Sequence, residues 1–178
     1  KENNAKNKAE NAQEDPQAKI EEEKEEAKVQ LPDLKASQYE TDEITTGIDV
    51  SEFQGNIDWK AVADSGIDFA MIRVGYRGMK NGEIKEDACA KYNLQEASKN
   101  GLKIGAYFFS TAVTEEEAKE EAEWTKNLLS GYPVTYPVAY NCEGFQNPSS
   151  RQFELSVEER TKLADAFLKS IEEGSYTG

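Results

Sequence analysis

From Thr46 onward the sequence runs through one pattern four times: a short apolar segment of strand type, then an amphipathic segment of helical type. That alternation limits the fold more than any other feature, because strand–helix repeats assemble as parallel βα units in an α/β protein. The strands are read at Gly47–Ser51, Phe69–Gly75, Lys103–Phe109 and Pro137–Glu143. The second is almost continuously apolar, as a strand covered on both faces requires. Asp58 is placed to cap a short helix that stops at Gly66, and a second helix is read over 86–100, stopped by Gly101. Thr114–Glu117 and Ser156–Glu159 are capping boxes opening two more helices, to about Leu129 and to just before Gly174. A nucleotide-binding doubly wound sheet would follow its first strand with a Gly-rich phosphate loop. Here the segment is Ser51-Glu52-Phe53-Gln54-Gly55, which lacks the glycines and the basic residue of such a loop. The expected fold is a (β/α) barrel, whose chemistry sits at the C-terminal strand ends.

Composition narrows the chemistry. The 178 residues carry 35 Asp+Glu against 21 Lys+Arg, a formal charge of −14, and no histidine. The acidity argues against a nucleic-acid partner, since phosphate binding needs clustered cations. Without histidine there is no Ser-His-Asp or Cys-His nucleophile and no His-bearing metal site. Two cysteines cannot complete a four-thiolate zinc site or an iron–sulfur cluster. No stretch approaches the roughly 18 consecutive apolar residues of a membrane span. Carboxylates, amides and aromatics remain, the toolkit of a carbohydrate-active site. All 12 glycines and every aromatic but Tyr39 fall after residue 45. Residues 1–45 are too polar to bury a core and are expected to form a disordered acidic linker, with a partner-binding helix as the other reading. Their i,i+3 pairs, Glu21 with Lys24 and Glu25 with Lys28, are too weak to hold an isolated helix. The chain begins at Lys1 rather than Met, and a long tether before a domain suits a secreted or surface-displayed enzyme.

Two acids stand at strand ends: Asp49 on the first strand and Glu143 closing the fourth. Side chains alternate along a strand, so Asn141 shares a face with Glu143 while Cys142 points to the helix layer. The same parity pairs Asp49 with Ser51, Arg73 with Gly75, and Tyr107 with Phe109. If those faces line the barrel mouth, Asp49, Arg73, Tyr107, Asn141 and Glu143 converge. Glycosidic cleavage uses one carboxyl as proton donor and a second group to stabilise the oxocarbenium-like centre. The plain alternatives are that Asp49 and Glu143 are caps or ion-pair partners, and that Tyr107 and Tyr76 are core.

The run from Gly47 to Trp59, Gly-Ile-Asp-Val-Ser-Glu-Phe-Gln-Gly-Asn-Ile-Asp-Trp, resembles the opening of glycoside hydrolase family 25, the lysozymes (N-acetylmuramidases) of bacteria, phage and fungi. Three further blocks fit in order: Phe69 to Tyr76, Gly105 to Phe109, and Tyr136 to Phe145. The resemblance covers residues 47–178. It implies a modified β/α barrel that hydrolyses the β-1,4 bond between N-acetylmuramic acid and N-acetylglucosamine in peptidoglycan, with no metal or organic cofactor. Residue by residue, it implies that Glu143 is the proton donor ending an Asp-x-Glu motif and that Asp49 is the acid of the first strand. Tyr107, Tyr76 and Arg73 are then the expected substrate-binding residues.

Two departures from the family pattern stand out. Where the family has the first Asp of Asp-x-Glu, this chain has Asn141, which accepts a hydrogen bond but cannot ionise. The expectation is a slowed enzyme, or one that binds glycan without cutting. The chain also reaches Ser175-Tyr176-Thr177-Gly178 where a fifth strand should begin, so only the first four to five barrel strands are expected. That implies a longer protein or a completing partner, since an open half-barrel exposes sheet edges. The expected partner is the peptidoglycan strand, and the oligomeric state stays open. Cys89 and Cys142 are compatible with a disulfide or with two free thiols.

Overall fold

The computed structural model of the protein describes residues 44–143 and 145–178. The linker expected over 1–45 therefore lies, but for its last two residues, outside the described residues. The elements in order are β1 (Gly47–Val50), a 3-10 turn (Glu52–Gln54), α1 (Trp59–Asp64), β2 (Phe69–Arg77), β3 (Ile84–Glu86), α2 (Ala90–Lys99), β4 (Lys103–Phe109), α3 (Glu115–Leu129), β5 (Val134–Asn141) and α4 (Val157–Glu173). Strands β1, β2, β4 and β5 lie in that order and are mutually parallel. This is the α/β architecture with a parallel sheet read from the alternation. The N–H of Val138 on the outer edge of β5 donates to the carbonyl of Thr177 (2.8 Å).

The helix boundaries follow local chemistry. Asp58 caps α1 by accepting from the Ala61 N–H, and Gly66 (φ 89°) supplies the left-handed residue that ends it. Ser156 and Glu159 form a reciprocal capping box at α4. Thr114 caps α3 through the Glu117 N–H, but the Glu117 carboxylate takes the Val113 N–H instead of the cap's own.

Several boundaries differ from the sequence reading, three of them by more than two residues or at the site. Residues 84–86 are a strand antiparallel to the end of β2, so α2 starts at Ala90 rather than 86. β5 starts at Val134, before Pro137, because an edge strand tolerates a residue without an N–H. Pairing with β4 ends at Phe109 opposite Asn141, which leaves Cys142 and Glu143 beyond the strand.

The core lies between the sheet and the helices. Ala70, Ile72, Val74, Ile104, Ala106, Phe108 and Val138 face Leu94, Ala118, Ala122, Leu163 and Phe167, all buried. Phe108 meets Trp124 edge-on (5.8 Å), and Tyr140 and Phe108 both tilt against Phe167. The opposite face of the sheet is sparser. The Phe69 ring lies over Gly47, where any side chain would collide with it, and stacks on Tyr136 at 4.5 Å. Gly105 clears the space that Met71 occupies beside them.

One buried charge cluster ties sheet to helix. Arg77, at the end of β2, donates from Nε to Glu121 (2.7 Å), from Nη1 to the Gly82 carbonyl (2.6 Å), and from Nη2 to Glu120 (2.7 Å) and the Glu117 carbonyl (3.1 Å). Glu121 is fully buried on α3, and burial pushes its carboxyl up to about 7 against the pull of Ser110 and Arg77, with Glu117 raising it further. Tyr140 and Cys142, both raised by burial, face the same cluster as neutral groups. The unfolded chain releases this proton near its ordinary 4.5 and the folded chain near 7. The carboxyl's stabilising contribution is therefore complete below about pH 4.5 and is lost as pH rises through about 7. The expected change is on the order of 3 kcal/mol. Melting temperature is expected to fall between pH 5 and 8, and Glu121→Gln to flatten that slope. Glu117, Glu123 and Glu159 are lowered, so their titration acts below 4.5 and outside this window. An unchanged slope in the Gln variant would exclude Glu121 as its source.

Candidate active site

The six residues singled out in the sequence line one cleft of about 580 Å³ at the C-terminal ends of the parallel strands. Asp49 comes from β1, Arg73 and Tyr76 from β2, Tyr107 from β4 and Asn141 from the last position of β5. Glu143 follows two residues later. Asp49 and Glu143 are exposed, Tyr76, Tyr107 and Asn141 half-buried, and Arg73 buried. Among the described residues neither acid caps a helix or lies within ion-pair distance of a cation side chain.

Arg73 and Tyr76 share the cleft because β2 carries a β-bulge. Arg73 lies opposite Tyr107, but Gly75 lies opposite Phe108 and Tyr76 opposite Phe109, which makes Val74 the extra residue. The strict alternation that grouped Arg73 with Gly75 is corrected accordingly. Gly75 faces the helices, where a Cβ would sit 2.6 Å from the Trp124 ring. Without the bulge Tyr76 would point there instead.

The Arg73 guanidinium is held from two sides. Its Nε donates to Asp87 (2.7 Å) and its Nη2 to Glu52 (3.1 Å). Asp87 is fully buried and also accepts from the N–H groups of Glu52 (3.0 Å) and Cys89 (2.9 Å). A buried arginine needs such partners, since an unpaired charge away from water is costly. The arrangement makes Arg73 a fixed wall of the cleft. Asp87 and Glu52 were missed in the sequence, because an acid in a loop 14 residues from its partner carries no periodic signal. Phe53 and Met79, both exposed and both lining the cleft, were missed as well.

Burial raises the Tyr107 hydroxyl above its ordinary range, the Arg73 charge opposing and the Asp49 and Asp87 charges adding to the rise, so it enters the cleft as a neutral donor. The Asn141 carboxamide oxygen is buried and makes no hydrogen bond among the described residues. On the far side of the same segment the Cys142 thiol donates to Gln152 (3.2 Å), as its parity requires, and burial keeps it protonated. Both cysteines are free thiols. Among the described residues no three Cys, Asp or Glu side chains come together as a metal site, and no helix is long and apolar enough to cross a membrane.

Strand-end acids over a parallel sheet are compatible with many enzymes, so sequence comparison decides the family. The model of glycosyl hydrolases family 25 matches residues 48–177. The chain belongs to that family. Its relatives include the autolytic lysozyme of Clostridium acetobutylicum, 30% identical over 132 residues that make up 74% of this chain and 37% of that protein. Among solved structures, the modular autolysin LytC of Streptococcus pneumoniae, determined in complex with a synthetic peptidoglycan ligand, superposes with a TM-score of 0.64 at 25% identity. The match covers 77% of this chain and 32% of LytC. A family 25 glycosyl hydrolase from Bacillus anthracis shares the fold, with a TM-score of 0.58 at 24% identity over 75% of this chain and 58% of that one. This family 25 chain spans well under half the length of the C. acetobutylicum lysozyme and about a third of LytC.

Proposed function

We propose that the cleft binds peptidoglycan glycan strands and cleaves the β-1,4 bond between N-acetylmuramic acid and N-acetylglucosamine. Glu143 is the proton donor, Asp49 the second carboxylate, and Tyr107 and Tyr76 contact sugar beside the fixed Arg73. The observation that carries this reading is the meeting of Asp49, Asn141 and Glu143 in one cleft at the strand ends. One proton donor and one group to stabilise positive charge at the anomeric carbon are what glycosidic cleavage requires. Asn141 slows the second task. It cannot form a glycosyl ester or supply negative charge, but its unpaired carboxamide oxygen can accept from the N–H of a 2-acetamido group. That geometry also favours a second reading, a module that holds glycan without cutting it. Either role suits a secreted or cell-surface protein.

The test is digestion of purified peptidoglycan, with the new reducing ends identified by mass spectrometry. New N-acetylmuramic acid ends, released slowly, are the expected result. N-acetylglucosamine ends would overturn the bond assignment. Retention of glycan with no new ends would establish the binding module.

A further inference from the structure

We propose that Phe53 is a sugar-stacking platform that extends the cleft by one pyranose subsite. The proposal rests on the reading of this cleft as a glycan site. Phe53 is 80% exposed, more than any other large apolar side chain among the described residues. A lone exposed apolar residue is ordinary on a protein surface. What sets this one apart is how firmly it is presented. The turn that bears it, Glu52–Gln54, is closed by a reciprocal box in which Gln54 accepts from the Ser51 N–H (2.8 Å) and Ser51 accepts from the Phe53 N–H (3.3 Å). The Glu52 N–H is anchored on buried Asp87, and the Glu52 carboxylate on Arg73.

Phe53 also has an ordered neighbour on one side. The Arg73 guanidinium carbon lies 4.8 Å from the Phe53 ring centre and 5.3 Å from that of Tyr76, so the cation is flanked by two aromatic rings. With most of its surface in water, the Phe53 ring keeps an open apolar face on the wall of the cleft that Met79 also lines. Burying that ring would stabilise the fold, and the turn forgoes this. Around the ring stand Glu52, Gln54 and Arg73, which can all hydrogen-bond. A flat apolar ring edged by polar groups matches a pyranose, with one C–H face and a rim of hydroxyls, better than it matches a stem peptide.

The experiment is calorimetric titration of the whole chain with chitotetraose and with purified glycan strands, prepared with and without stem peptides. Phe53→Ala is expected to weaken chitotetraose and peptide-free strands by about fivefold or more, with an unchanged melting temperature because the ring packs against so little. Phe53→Tyr, which keeps a stacking ring, is expected to bind like the native chain. Val157→Ala removes another exposed apolar group, on α4 and away from the cleft, and is expected to have no effect. Unchanged affinity in Phe53→Ala, with Tyr107→Ala weakened, would overturn the platform and leave the glycan reading standing. A loss confined to peptide-bearing strands would overturn the sugar assignment in favour of a stem-peptide contact. No binding of any glycan by the native chain would overturn both this proposal and the reading beneath it.

Discussion

Replacing Asn141 by Asp is expected to raise muropeptide release by about 10²–10³-fold, the range in which one well-placed electrostatic group acts on a charged transition state. The exchange is nearly isosteric, so fold and glycan affinity should change little while the rate changes greatly. The site already lines the cleft, next to the segment carrying Glu143, and its oxygen has no donor among the described residues. A carboxylate there meets no existing hydrogen bond to break. Adding Glu143→Gln to the faster variant should remove about 10²–10⁴ of that rate, since it takes away the proton delivered to the leaving oxygen. The measurement is the initial rate of new reducing ends for the native chain, for Asn141→Asp and for the double variant. No gain on Asn141→Asp would show that Asn141 is not what limits the reaction. A gain that survives Glu143→Gln would remove Glu143 from the role of donor.

Arg77→Ala is expected to destabilise the protein by about 3–5 kcal/mol, because it removes four hydrogen bonds at once and leaves the buried Glu121 carboxyl and the Gly82 and Glu117 carbonyls without their donor. For a domain of this size that corresponds to a fall of roughly 10–20 °C in melting temperature. Glu120 and Glu117 also crowd the vacated position, and Arg151, bonded to Glu117 (2.6 Å), is the remaining cation nearby. The double variant Arg77→Met with Glu121→Leu should recover much of the loss, since it buries no uncompensated charge. A melt of Arg77→Ala within a degree or two of the native chain would show that this cluster does not hold β2 to α3.

Some of this was open to view in the sequence and some was not, for definable reasons. Asp58, Gly66, Gly101 and the Ser156–Glu159 pair announced their helix ends because capping is a local transaction between neighbours. Asn141 and Glu143 reached the same cleft by alternation, and Asp49 by its place on the first strand. Alternation failed at Val74, because a bulge is decided by what both flanking strands require and leaves no mark in one strand's pattern. The three-residue β3 was invisible for want of length, its Glu86 reading as the start of a helix. Asp87 and Glu52 became part of the site only when a loop and a turn were brought against β2, which no periodicity records.

The stacked rings of Phe69 and Tyr136, with the Thr45 hydroxyl 3.5 Å from that of Tyr136, lie toward the N-terminal ends of the strands, away from the cleft. The two ends of the sheet are thus divided, so that packing at one end can change without touching the groups that line the cleft at the other.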